Sequence, residues 1–271
     1  MSQDTLYPLV YKALMTDDPA EKCTQAQELY HRWQQNDISR VMVGEIEKIE
    51  WPGRPPRPEL VRPQDLPRRK LSSDEGRAAL IHAITHIEFN AINLALDAVY
   101  RFRDLPDTFV GDWLQVGSEE AYHFGLLRNR LNDLGYDYGD FPGHNGLWEM
   151  AVKTDFDPLV RMALVPRVLE ARGLDVTPAM MQKLEKAGDH ETVDCLKIIL
   201  RDEIGHVAIG SRWYHYLCAQ RALDADQTFR ELIREFMNAT LPGPFHVEAR
   251  LKAGFTAAEL KGLETMTGDN E

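Results

Sequence analysis

Two short words in this sequence have the makings of a metal or proton site. Glu120-Ala-Tyr-His123 and Glu203-Ile-Gly-His206 both read E-x-x-H. Three residues apart on a helix, a carboxylate and an imidazole share one face and can hold one ion. A single copy arises by chance in many helices; two copies in helical surroundings carry more weight. Trp113, Val116, Glu120, His123, Leu127, Leu131 and Leu134 follow one apolar stripe. Leu196, Ile199, Glu203, His206, Gly210, Trp213 and Leu217 follow another. Both words therefore face inward. An inward carboxylate without compensation costs several kcal/mol or takes up a proton. A metal ion would supply the missing charge.

Two further acids fall on apolar stripes. Glu88 is the only acid among Ile81, Ile84, Ala91, Ile92, Ala95 and Val99, and Glu170 aligns with Leu159, Ala163 and Pro166. One Glu from each of two helices, plus one E-x-x-H from each of two others, is the ligand set of dinuclear carboxylate sites in four-helix bundles. The expected metal ligands are Glu88, Glu120, His123, Glu170, Glu203 and His206. Four carboxylates and two imidazoles suit two divalent ions that are iron or manganese-like, a mixed pair included, and thiolate-type zinc or copper does not fit. Glu88 lies 32 residues before Glu120, and Glu170 lies 33 before Glu203. The chain thus reads as two helix hairpins, each giving Glu and then E-x-x-H. Asp202 and Asp194 are candidate acceptors for the second ring nitrogens of the histidines.

The elements that must position these residues are all helical. The expected class is all-α: a four-helix bundle with a long crossover between helix pairs, N-terminal helices and a C-terminal helical extension. Alternating β-branched runs of useful length are absent. Residues 1–50 form a helical segment. Residues 51–72 form a Pro/Arg-rich strap or linker, because six of the fifteen prolines fall between Trp51 and Pro67 and force an extended course. Its Arg54, Arg57, Arg62, Arg68, Arg69 and Lys70 read as a solvated arm. Residues 73–222 hold the bundle. Its long helices run from Ser72 to about Phe102, Phe109 to Leu134, Asp157 to Arg172 and Glu191 to Ala222. Gly173 ends the third, and Thr177-Pro178 starts a shorter helix to Ala187. Tyr136 to Gly146 reads as loop, and Pro166 should kink the third helix. Residues 223–271 form the extension, with a helix from Asp226 to about Ala239, a break at Leu241-Pro-Gly-Pro, then one or two short helices and a frayed acidic tail from Glu264 to Glu271.

Single residues need weighing. Tyr122, inside the first E-x-x-H, reads as packed against a neighbouring helix. Glu119 fits the ligand stripe less well than Glu120. His86 points away from Glu88 and reads as a surface or second-layer group. Trp148 and Phe141 read as structural caps.

At these residues the sequence resembles the ferritin-like superfamily of dimetal carboxylate proteins. Trp51-Pro-Gly-Arg-Pro, His86-Ile-Glu-Phe-Asn-Ala-Ile, Glu119-Glu-Ala-Tyr-His-Phe, Val165-Pro-Arg-Val-Leu-Glu-Ala-Arg-Gly-Leu-Asp and Arg201-Asp-Glu-Ile-Gly-His-Val are similar to the bacterial ferritin-like family of unknown function DUF455. The resemblance runs from about Trp51 to Leu217. It implies the ferritin-like fold and the dimetal site, and for the superfamily oxygen or peroxide chemistry, but no substrate.

Composition narrows the partners. The chain has 271 residues, 31 basic against 43 acidic, for a formal net charge of −12. That disfavours nucleic acid as a partner, and with it a tRNA hydroxylase-like role. No run of about 18 apolar residues occurs, so no membrane span is expected. Three scattered cysteines do not form a disulfide framework, and the expected location is cytoplasmic. The expected function is an oxidoreductase or oxygenase using O2 or H2O2 on an unnamed small molecule. An external reductase would be its electron source, since no Cys-x-x-Cys module is present. An oligomer is compatible with the sequence. Iron handling, peroxide removal and a non-catalytic metal-stabilised binding protein are the competing readings.

Overall fold

A computed structural model describes residues 4–41, 44–67, 69–237, 241 and 243–266. The protein is all-helical: α1 (Leu6–Met15), α2 (Pro19–Gln34), α3 (Asp74–Arg101), α4 (Asp107–Asp133), α5 (Gly146–Lys153), α6 (Pro158–Leu164), α7 (Ala171–Lys186), α8 (His190–Gln220), α9 (Ala225–Phe236), α10 (Val247–Lys252) and α11 (Ala257–Glu264). Two isolated bridges, Thr5 with Ser39 and Leu60 with Gly143, are the only extended pairings among the described residues. The chain divides into two compact units. One holds residues 1–152 and 184–195, the other 153–183 and 196–271.

In the first unit α3 packs along α4, α2 lies on α4, and α1 lies on α3. Local chemistry fixes the helix ends. Asp18 caps α2 by accepting from Glu21 N at 2.7 Å, with Pro19 at the first helical position. Ser73 caps α3 by accepting from Gly76 N. α4 stops at Gly135, whose φ of +81° suits glycine, with Tyr136 N bonded back to Leu131 O. α3 is the one described helix long and apolar enough to cross a membrane. Most of it is buried in this fold, and Ile81, Ile92, Ala95 and Val99 stand inward beside Glu88.

The strap lacks α-helix between Trp51 and Pro67, apart from one 3-10 turn at Pro63–Asp65. It is tied down. Val61 N donates to Gly143 O, and Gly143 N donates to Glu59 O, both at 2.9 Å. Three of its arginines are engaged locally: Arg54 with Pro58 O, Arg62 with Asp65, and Arg69 with Glu75 and the Phe141 ring. Arg68 lies outside the described residues. The crossover also carries a helix that sequence periodicity does not reveal. α5 buries Trp148, whose Nε1 donates to Glu50 O at 2.9 Å.

In the second unit the third long helix expected from the sequence takes a different course. α6 instead passes into a π-helical turn, Val165–Glu170, and then directly into α7. Pro166 cannot donate the ordinary bond, and the chain widens so that Ala171 N reaches Pro166 O. Gly173 and Pro178 do not end and restart the helix; both lie inside α7. Ala171, Leu174, Thr177 and Leu184 are all buried, so one apolar stripe continues through the proline. The expected helix end at Ala239 and the Pro242 of the break lie outside the described residues, as do residues 267–271 of the acidic tail.

Lys22 generates a test of this packing. Fully buried on α2, its Nζ donates to Leu14 O at 2.7 Å and Asn93 Oδ1 at 2.6 Å. Burial pushes its ammonium down from 10.5 to about 7. Between those values the unfolded chain holds the extra proton, so this group makes stability rise with pH across that interval. Lys22→Met should flatten the rise in urea unfolding measured across it; an unchanged slope would show that the ammonium keeps its water.

Candidate metal centre

The first E-x-x-H sits where α4 meets α3. Glu88 and Glu120 are 3% and 0% exposed, and His123 is 0% exposed. His123 Nδ1 stands 3.4 Å from Glu120 Oε2 and 3.3 Å from Glu88 Oε2. Each of the three residues offers a ligand atom within 4.8 Å of the others. The helical stripes explain the meeting: Glu88 is inward on α3 among Ile84, Ala91 and Ile92, and Glu120 and His123 are inward on α4 between Val116 and Leu127. Glu119, one residue away, is only part-buried and accepts from Gln115 instead.

Two carboxylates and one imidazole in so small a buried volume shift one another's protonation. Burial, then the neighbouring Glu120 charge, raises the Glu88 carboxyl well above its usual range. Burial works against charge on His123, yet the bonds to Glu120 and Glu88 push it up to about 11. Glu88 Oε2 finds no well-aligned hydrogen-bond donor among the described residues. Oxygen donors and an imidazole nitrogen converging on one buried point could hold a metal ion.

The second E-x-x-H lies on α8. His206 is 1% exposed, and its Nδ1 stands 3.7 Å from Glu203 Oε1. Glu170, the last residue of the π-helical turn, is part-buried in the same unit. Pro166 of that turn presses on α8 at Gly210, where an added Cβ would lie 2.4 Å from the proline ring. Asp202 is bonded by Arg201 at 2.8 Å.

A layer around the first three residues escapes the sequence reading. Phe89 follows Glu88, Phe124 follows His123, and both rings pack on Tyr138 at 5.4 and 5.1 Å. The Tyr138 hydroxyl lies 2.8 Å from His86 Nδ1, and His86 Nε2 lies 3.0 Å from the His144 carbonyl. A carbonyl only accepts, so Nε2 carries the proton and Nδ1 accepts from the phenol. His86 is thus no surface group: it is buried, and burial lowers it to about 4. His82, one turn earlier, accepts from Gly139 N and is lowered by burial to about 4 as well. The signal lies in the i, i+4 spacing of His82 and His86 on the α3 stripe and in the aromatic crossover. Tyr122, by contrast, is 48% exposed and does not pack inward. Its ring borders a surface cavity of about 410 Å³ with Cys23 and Arg128.

The comparisons with known proteins give a lineage without an activity. A family described as "Protein of unknown function (DUF455)" matches residues 15–261. A Haemophilus influenzae protein, described as uncharacterized, is 46% identical over 265 residues, covering 93% of this chain and 91% of its own length. No solved structure matches.

The protonation of this cluster sets a test. Glu88 and His123 are both raised, so at neutral pH the metal-free cluster carries protons that an ion must displace. Metal affinity should rise from mildly acidic to mildly alkaline pH. Titration calorimetry in buffers of different ionisation enthalpy should report release of at least about one proton per ion. Affinity independent of pH, with no proton release, would contradict this protonation state.

Proposed function

We propose that this chain, which belongs to the DUF455 family and takes no activity from that membership, is a dimetal carboxylate oxidoreductase of the ferritin-like kind. It would use O2 or peroxide on a small-molecule substrate. The observation that carries the reading is the buried cluster of Glu88, Glu120 and His123, whose donor types fit an iron-like ion. In this reading Glu88, Glu120 and His123 hold one ion, and Glu170, Glu203 and His206 hold its neighbour. The pairing rests on the repeated Glu and E-x-x-H pattern of the sequence. α3, α4, the α6–α7 segment and α8 would be the four bundle helices.

A bound pair of iron or manganese ions would supply two-electron redox chemistry that side chains alone lack. The chain's own residues do the rest. The two carboxylates, Glu88 and Glu120, would offset the ion charge. His123 presents Nδ1 to the same point. The Phe89, Phe124 and Tyr138 rings keep water from the α3–α4 side, and His86, held neutral by burial, fixes the Tyr138 hydroxyl. Electrons would come from an external reductase.

Metal content by mass spectrometry tests the reading. Wild-type protein grown with iron and manganese should carry about two ions per chain. Glu120→Ala and Glu203→Ala should each lose at least one, and oxygen uptake with a chemical reductant should fall at least about 100-fold. A folded wild type with less than about one ion per chain, unaffected by either change, would overturn the proposal in favour of a non-catalytic binding protein.

A further inference from the structure

Arg167 is a charge that the dimetal reading does not use. It lies in the π-helical turn, three residues before Glu170, and is fully buried. Its guanidinium stands 4.5 Å from the ring centre of Tyr214 on α8, 4.3 Å from Phe229 on α9 and 4.5 Å from Phe255 before α11. A cation among three ring faces is attracted by each. Nη2 donates to Glu259 Oε1 at 2.6 Å, while Nε and Nη1 meet no acceptor among the described residues. So deep a cation, incompletely bonded, is retained at a cost in desolvation. Leu or Met would fill the same space more cheaply for packing alone.

The partner carboxylate is itself built in. Glu259 belongs to the capping box of α11, accepting from Thr256 N at 2.8 Å, and His215 Nε2 lies 3.2 Å from its Oε1. Burial opposes its charge, but His215 and Arg167 hold it down to about 2. It is therefore anionic at any working pH. On its other side the turn is wedged by Pro166 against Gly210. A π-helical turn adds one residue, and at 3.6 residues per turn each added residue rotates the downstream helix by roughly 100°. The direction of Glu170 is set by whether this turn keeps its width.

We infer that Arg167 and Glu259 are positioning residues: their pair clamps the π-helical turn to the C-terminal helices and so aims Glu170 as a metal ligand. The inference rests on the dimetal reading for the role of Glu170. The C-terminal segment thereby becomes part of the site's support rather than an appendage.

The test uses the full-length protein with Glu259→Gln and Arg167→Lys, and Glu248→Gln as control, since Glu248 pairs with Lys252 on the surface. Glu259→Gln keeps the shape and the acceptor of the capping box, so it stands if Arg167→Lys does not fold. Hydrogen exchange is measured metal-free, and iron(II) binding is measured by competition with a chelator. Amides of Val165–Ala171 should exchange about 10-fold faster or more in Glu259→Gln, with α3 amides unchanged. The more weakly held ion should lose about 10–100-fold in affinity while the other is retained. Unchanged exchange in the turn overturns the inference, and so does faster exchange with both ions held at wild-type affinity. A wild type that binds no iron overturns the dimetal reading instead, and the metal-free exchange arm still decides whether the pair clamps the turn.

Discussion

The crowding of Glu88, Glu120 and His123 in a buried volume is the constraint on which the α3–α4 architecture depends. His123 Nδ1 lies 3.3 Å from Glu88 and 3.4 Å from Glu120, and each carboxylate is almost wholly buried. Burial and the Glu120 charge keep a proton on Glu88, and the two carboxylates keep one on His123. A metal ion at this point would have to displace those protons. The rest of the first unit is arranged around it. Glu88 stands on a helix whose interior would otherwise be apolar, and Phe89 and Phe124 close the neighbouring space against Tyr138.

The support reaches far along the chain. Gly143 is bonded on both sides by the strap, and a Cβ there would lie 2.7 Å from the His86 ring. Strap, crossover and α3 therefore meet at one histidine, and that histidine holds Tyr138. The proline-rich segment acts as a brace: it cannot form helix, so its backbone groups are available to the crossover loop. In the second unit the same economy recurs, with the α9–α11 segment packed on the buried Arg167.

Much of this is legible from residue spacing. The inward stripes of α3, α4 and α8 follow from the 3.6-residue period, and the Asp18 and Ser73 caps and the Gly135 stop follow from backbone chemistry. The choice of Glu120 over Glu119 as the inward residue follows from the same period. The features that escape do so for physical reasons. α5 is too short for its period to stand out against an aromatic loop. Gly173 and Pro178 are breakers by propensity, but the buried stripe from Ala171 to Leu184 outweighs them. The π-helical turn leaves no sequence mark beyond Pro166. The position of His86 relative to Glu88 suggests an outward or second-layer group; its burial depends on a loop more than fifty residues downstream. Tyr122 lies beyond the inward face and is exposed.

The most direct measurement of the central claim is anomalous X-ray diffraction at the iron edge from crystals soaked in iron(II). The account predicts two peaks about 3.5–4 Å apart, one bound by Glu88, Glu120 and His123 and the other by Glu170, Glu203 and His206. Crystals that diffract well and show no anomalous peak beside Glu88, Glu120 and His123 would contradict it.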